Sequence, residues 1–74
     1  MNTIQYTVGR LAIARENITM AQKAVAQILH TFYERKDFAP TDVTVRENLG
    51  SAVERLELAI HDLKIVRERI AENA

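Results

Sequence analysis

Two sets of apolar residues recur at heptad spacing in this chain, one in each half. Large apolar residues repeat every seven positions, and a second apolar residue, often alanine, follows most of them by three. Such spacing places these residues on one stripe of a helix that packs along another helix. This first stripe comprises Leu11, Ala14, Ile18, Ala21, Val25, Ile28 and Phe32 in the first half, and Leu49, Ala52, Leu56, Ala59, Leu63, Val66 and Ile70 in the second.

One segment interrupts the pattern and separates the two halves. The residues from Asp37 to Asp42 lack the heptad spacing, and Pro40 cannot lie inside a continuing helix. The chain therefore predicts an all-α fold, a two-helix antiparallel hairpin in a single domain. The predicted bounds are 1–74 for the domain, about 3–36 for helix 1, 37–43 for the turn and about 44–72 for helix 2.

A turn near residue 42 determines which positions of the two helices lie opposite each other, to within a residue or so. Most of the resulting layers oppose a large residue to an alanine, which suits a close approach of two helices. The expected layers are Phe32 with Ala52, Ile28 with Leu56, Val25 with Ala59, Ala21 with Leu63, Ile18 with Val66, and Ala14 with Ile70.

Both helices carry a second set of apolar residues, which a single hairpin would leave exposed over several hundred Å², a size typical of interaction sites. A homodimer that closes two hairpins into a four-helix bundle is the simplest cover. Docking of a different protein predicts the same pattern, and scattered surface residues are the plainer alternative. This second stripe, the predicted dimer or partner interface, comprises Tyr6, Ile13, Met20, Leu58 and Ile65. Four more apolar residues flank the stripes: Val8, Leu29, Val53 and Ile60.

Size and composition favour a partner chain. Seventy-four residues lie near the lower limit for a self-sufficient core, and a chain without cysteine has no disulfide to compensate. Ten basic and ten acidic residues give a net charge of zero, unlike that of a dedicated nucleic-acid binder. Residues 1–9 carry no charge, and no apolar run is long enough to span a membrane. We therefore expect a self-associating cytoplasmic protein without a signal peptide.

The sequence offers little to catalysis. His30 and His61 fall on the outer faces of their helices, where we expect solvated surface residues. The chain contains no glycine-rich phosphate loop, no nucleophile motif and no zinc-ligand spacing. We therefore expect no enzymatic activity, cofactor, metal or small-molecule substrate.

Two further surfaces are candidates for binding. A polar and basic strip beside Tyr6 has the chemistry to contact a nucleic-acid backbone, and aromatic residues near the turn suit either a protein anchor or a plug beneath the turn. The candidate nucleic-acid face comprises Arg10, Asn17, Lys23 and Gln27, and the candidate protein-binding tip comprises Phe38 and Pro40. A mixed-charge cluster at the open end of the hairpin is expected to be solvated: Arg10, Arg15, Glu16, Asp62, Lys64, Arg67, Glu68, Arg69 and Glu72.

The architecture resembles the Rop family of plasmid copy-number regulators, whose helical hairpins dimerise into four-helix bundles and bind RNA. The resemblance lies in two heptad helices, alternating alanines and one short turn, without a shared sequence motif. The residues themselves favour a small regulatory or adaptor protein that self-associates and binds another macromolecule, with a protein as the first candidate. An RNA-binding regulator is the alternative, and a purely structural oligomerisation module comes third. The size is typical of accessory regulators of phages, plasmids or bacteria.

Overall fold

The chain folds into two long helices. The computed structural model describes residues 3–34 and 43–72. Helix α1 spans Thr3–Glu34 and helix α2 spans Val43–Glu72. The predicted all-helical hairpin is therefore confirmed, and α2 begins one residue before its predicted start. Most of the predicted turn, and the last two residues predicted for helix 1, lie outside the described residues.

Local sequence favours helix in both segments. Neither contains proline, and α1 is rich in alanine, the residue with the highest helix propensity. The hydroxyl of Thr31 donates a hydrogen bond to the backbone carbonyl of Gln27, one turn earlier, at 3.0 Å. Gly9 and Gly50 are the weakest helix formers within the two helices, and neither has a positive φ. The backbone at these glycines is therefore one that alanine can adopt.

Two polar pairs give the alignment of the helices. Arg10 of α1 bonds to Asp62 of α2, and Asn17, further along α1, bonds to Arg55, which comes earlier in α2. The helices are therefore antiparallel. The molecule measures 54 × 17 × 15 Å. Its long dimension is close to the length of one helix, as expected when two helices lie side by side.

This alignment corrects the predicted layers. Ala21 is expected opposite Leu63, but it forms a buried cluster with Ala24 and Ala52, eleven positions earlier in α2. Part of the difference arises because the midpoint between the described ends of the helices, Glu34 and Val43, comes earlier in the chain than residue 42. The observed alignment also gives hydrogen-bonding partners to the polar side chains at the contact.

Small side chains fill the contact between α1 and α2. The buried apolar residues are Ala14, Ala21, Ala24, Ile28, Val45, Ala52, Ala59 and Val66. Because alanine ends at its Cβ atom, the helices approach closely at these positions. Each alanine also removes much less apolar area from water than a leucine would, so the contact contributes little hydrophobic stabilisation for its length.

The contact divides the first stripe into two groups. Most of its large members lie on one flank and keep about half of their surface exposed, as Val25 (44%), Leu56 (42%) and Leu63 (41%) illustrate, whereas Ile28 and Val66 are buried. The prediction that the first stripe is enclosed within one hairpin is therefore wrong for most of its large residues. A buried polar row, Asn17 and Asp62, follows the alanine row by three positions in each helix. The helix contact is centred between these two rows, so the large residues on the other flank of the alanines point away from it.

Replacing either glycine by alanine should stabilise the protein by about 0.5–1 kcal/mol. A Cβ atom at Gly9 or Gly50 would meet nothing within 4 Å, so the gain in helix propensity carries no steric cost. Urea unfolding followed by helical circular dichroism measures the change. Ala12→Gly, at an exposed position of α1, is the matched control and should lose a similar amount. A loss of stability in Gly9→Ala would contradict this explanation.

Candidate interaction surfaces

The alanine contact leaves two broad sides on the hairpin. Residues two positions apart point about 200° apart around a helix axis. Leu56 and Leu58 therefore project to opposite sides of α2, and the buried Ala59 marks the contact between these sides. Leu11 and Ile13 diverge in the same way on α1.

One side is apolar along both helices, and we call it the leucine face. It comprises Val8, Leu11, Ile18, Val25, Leu29 and Phe32 of α1, and Leu49, Val53, Leu56, Ile60, Leu63 and Ile70 of α2. A groove of about 300 Å³ lies between Val25 and Leu29 on one helix and Leu56 on the other. Polar side chains occur at the rim, where Arg67 borders Ile60. This side is thus shaped and composed to bury apolar side chains.

The opposite side carries the second stripe, but in two separated rows. Ile13 is 50% exposed, Met20 38% and Leu58 46%, whereas Tyr6 and Ile65 are half-buried. The rows are separated by four polar residues near the contact: Arg10, Asn17, Arg55 and Asp62. The five predicted interface residues thus share one side of the hairpin without forming a continuous apolar surface.

Those polar residues form a network across the contact. Arg10 donates from Nη1 to Oδ1 of Asp62 at 2.6 Å and from Nε to the hydroxyl of Tyr6 at 3.1 Å. Arg55 donates from Nη1 to Oδ1 of Asn17 at 3.2 Å. Asp62 and Asn17 are both buried, and every buried side-chain nitrogen or oxygen of the described residues has a hydrogen-bond partner. The network is therefore compatible with burial.

Two guanidinium groups lie against the ring of Tyr6. The Cζ atom of Arg69 is 4.2 Å from the ring centroid, and that of Arg10 is 5.4 Å away, within the range of cation–π attraction. The hydrogen bond to Asp62, followed by the hydrogen bond to Tyr6, raises the pKa of Arg10 above its usual value. Arg10 therefore remains a cation, and its contacts join the N-terminal part of α1 to the C-terminal part of α2.

The network corrects the expectation of a solvated charged cluster at two of its nine members, Arg10 and Asp62, whereas the other seven are exposed, as expected. Asp62 is only 6% exposed and contacts Arg10, whereas its sequence neighbours suggested a surface carboxylate. Sequence reasoning also missed Arg55 as a partner of Asn17. A signal was present, because Arg10 and Asn17 are seven residues apart, as are Arg55 and Asp62. In antiparallel helices, such spacing brings both pairs together at once.

The polar pairs also select one alignment of the helices. A shift of α2 by one heptad would place Arg10 opposite Arg55 in one direction, or opposite Arg69 in the other. Either shift juxtaposes two cations and removes the carboxylate that Arg10 contacts. Buried polar pairs that fix register at some cost in stability are a known device in helical bundles. The network thus specifies the hairpin alignment.

The candidate nucleic-acid face is only partly available. Arg10 and Asn17 are engaged with residues of α2, whereas Lys23 and Gln27 are exposed. A nucleic acid using all four would have to compete with the contacts that align the helices. The candidate protein-binding tip, Phe38 with Pro40, lies outside the described residues.

The remaining titratable residues form no concentrated site. His30 and His61 are exposed, as expected, and Nε2 of His30 lies 3.5 Å from Oε1 of Glu34. Within residues 3–34 and 43–72, no three or more His, Cys, Asp or Glu side chains are grouped to hold a metal ion. Neither α1 nor α2 includes a stretch with the length and hydropathy needed to cross a membrane.

Comparison with known proteins adds no relative on which to base a function. No protein-family model, curated protein or solved structure matches the chain.

Asp62→Asn should lower the free energy of unfolding, because Arg10 loses its charged acceptor while the side-chain shape is kept. Glu68→Gln, an exposed change in the same helix, is the matched control and should stay within about 0.5 kcal/mol of the wild type. Urea unfolding of Asp62→Asn, Arg10→Gln and the double variant measures the coupling between the two residues. Simple additivity of the two changes would contradict a direct pair.

Proposed function

We propose that this chain is a non-enzymatic interaction protein that self-associates and binds another macromolecule through the surfaces of its helices. In this proposal, two hairpins close into a homodimeric four-helix bundle in the cytoplasm. A protein is the preferred further partner. The side of each hairpin that stays outside the bundle is available to bind it.

The observation that carries the proposal is the unusual amount of exposed apolar surface. The total accessible surface of the chain, polar and apolar atoms together, is 5980 Å², roughly 1,400 Å² more than the approximately 4,600 Å² typical of a folded monomer of its mass. Seventeen large apolar residues among those described are exposed, while alanines fill the contact. Monomeric proteins seldom leave such a surface in water, because covering it is strongly favourable.

A non-enzymatic role is supported by how the chain uses its polar residues. The two buried polar side chains in residues 3–34 and 43–72, Asn17 and Asp62, each accept a hydrogen bond from an arginine across the helix contact. The most concentrated polar cluster of the described residues thus aligns the helices. This arrangement favours a structural use of that cluster over a catalytic one.

A protein is a better candidate partner than RNA or DNA. The chain has no net charge, and phosphate contacts normally require an excess of exposed basic residues. Arg10, the first cation of the candidate nucleic-acid face, contacts Asp62. The sides of the helices instead offer large apolar residues, the chemistry that protein partners bury.

Light scattering should give a mass of twice 8.4 kDa for the purified wild-type chain. The dimer should persist on dilution from about 100 μM to about 1 μM, because covering the apolar surface favours association well into that range. A folded monomer across the whole range would overturn the proposed self-association.

A further inference from the structure

A second copy could pack on either of two sides of the hairpin, the leucine face or the side that carries the second stripe. We infer that it covers the leucine face and leaves the second stripe on the outside of the dimer. This inference rests on the proposed function, because it presupposes self-association. It differs from the sequence-based prediction, which places the interface on Tyr6, Ile13, Met20, Leu58 and Ile65.

The leucine face is continuous along both helices. Its large residues occur on both helices from Val8 to Phe32 and from Leu49 to Ile70. The groove beside Leu56 is lined by apolar side chains apart from Gln22. The centre of a stable interface is normally depleted of charge, and no charged side chain of the described residues lines this groove.

Covering the opposite side of the hairpin would cost desolvation free energy. A hairpin packed there would bury the ion pair of Arg10 with Asp62, and Arg55 beside Asn17, more deeply. Removing further water from charged groups opposes association unless new polar contacts replace the lost hydration. The second stripe lies on either side of these groups, and its one polar group, the hydroxyl of Tyr6, already accepts a hydrogen bond from Arg10. Covering the leucine face avoids this cost.

Small residues lie beside large ones on the leucine face, which suits packing against a second copy. Ala21 and Ala26 border the same groove as Ile18 and Leu56, so small residues leave room beside the large ones. In a four-helix bundle, large side chains of one hairpin can enter such grooves of the other, and the buried alanines keep each hairpin thin. Large residues of one copy then pack against small residues of the other, in layers to which both copies contribute.

The extent of the leucine face also suits a second copy. A stable interface of standard size covers about 800 Å² on each partner, and eleven of the seventeen exposed large apolar residues of the described chain lie on this face. The leucine face extends along most of a molecule 54 Å long. A second hairpin of the same length covers this face from end to end. A second copy therefore accounts for the length of the apolar surface.

Leu56→Glu and Leu58→Glu form a matched pair for testing the inference. The two leucines are 42% and 46% exposed in the hairpin, but they lie on opposite sides of α2. Leu56→Glu should weaken dimerisation by more than about a hundredfold, because each dimer would bury two unpaired carboxylates. Leu58→Glu should leave the mass and the dissociation constant close to those of the wild type. Light scattering and sedimentation give both quantities.

The outcomes separate this inference from the proposed function. A wild-type monomer would overturn both, since no self-association would remain to assign. A wild-type dimer that Leu58→Glu dissociates and Leu56→Glu preserves would overturn only the assignment to the leucine face. Dissociation by both changes would also overturn it, because the second stripe would then contribute to the interface.

Thiol protection provides a second test in case Leu56→Glu fails to fold. The chain has no cysteine, so Leu56→Cys and Leu58→Cys each introduce a single thiol. At a concentration where the wild type is dimeric, alkylation at position 56 should be at least about tenfold slower than at position 58, because only the first is covered. Equal rates, or slower alkylation at position 58, would contradict the inference.

Discussion

The alanine contact between the two helices is the constraint on which the rest of this structure depends. Ala14 and Ala21 of α1, with Ala52 and Ala59 of α2, allow the backbones to approach closely. A large residue at these positions would hold the helices apart. The consequence is a thin hairpin whose leucines lie on its sides, and covering those leucines requires a further layer of protein.

Close packing of small residues provides little stabilisation or specificity by itself. A row of alanines can slide past another row, because the alternatives bury similar area. The polar network supplies the missing specificity, since Arg10 and Asn17 find their partners in only one alignment. Alignment and stabilisation of the hairpin therefore depend on different residues. Its polar side chains fix the alignment, and the leucine face holds most of the apolar surface available for stabilisation.

Much of the fold could be predicted from the sequence, because heptad spacing and Pro40 define two helices and the break between them. The alignment could not, because the large and the small residues both recur at heptad spacing, and either set suits a contact between two helices. A reader of one chain therefore assigns both to the same hairpin contact. The second stripe illustrates the same difficulty: its spacing is regular, but the polar residues that divide it become visible only when Arg10 meets Asp62 across the contact.

The central claim is that burial of the leucine face between two copies stabilises the fold more than the alanine contact does. Thermal unfolding, followed by helical circular dichroism over about a hundredfold range of protein concentration, tests this claim most directly. If folding and dimerisation are coupled, the unfolding midpoint should rise by several degrees across that range. A midpoint independent of concentration, with a monomeric mass, would contradict the claim and show that the hairpin is stable alone.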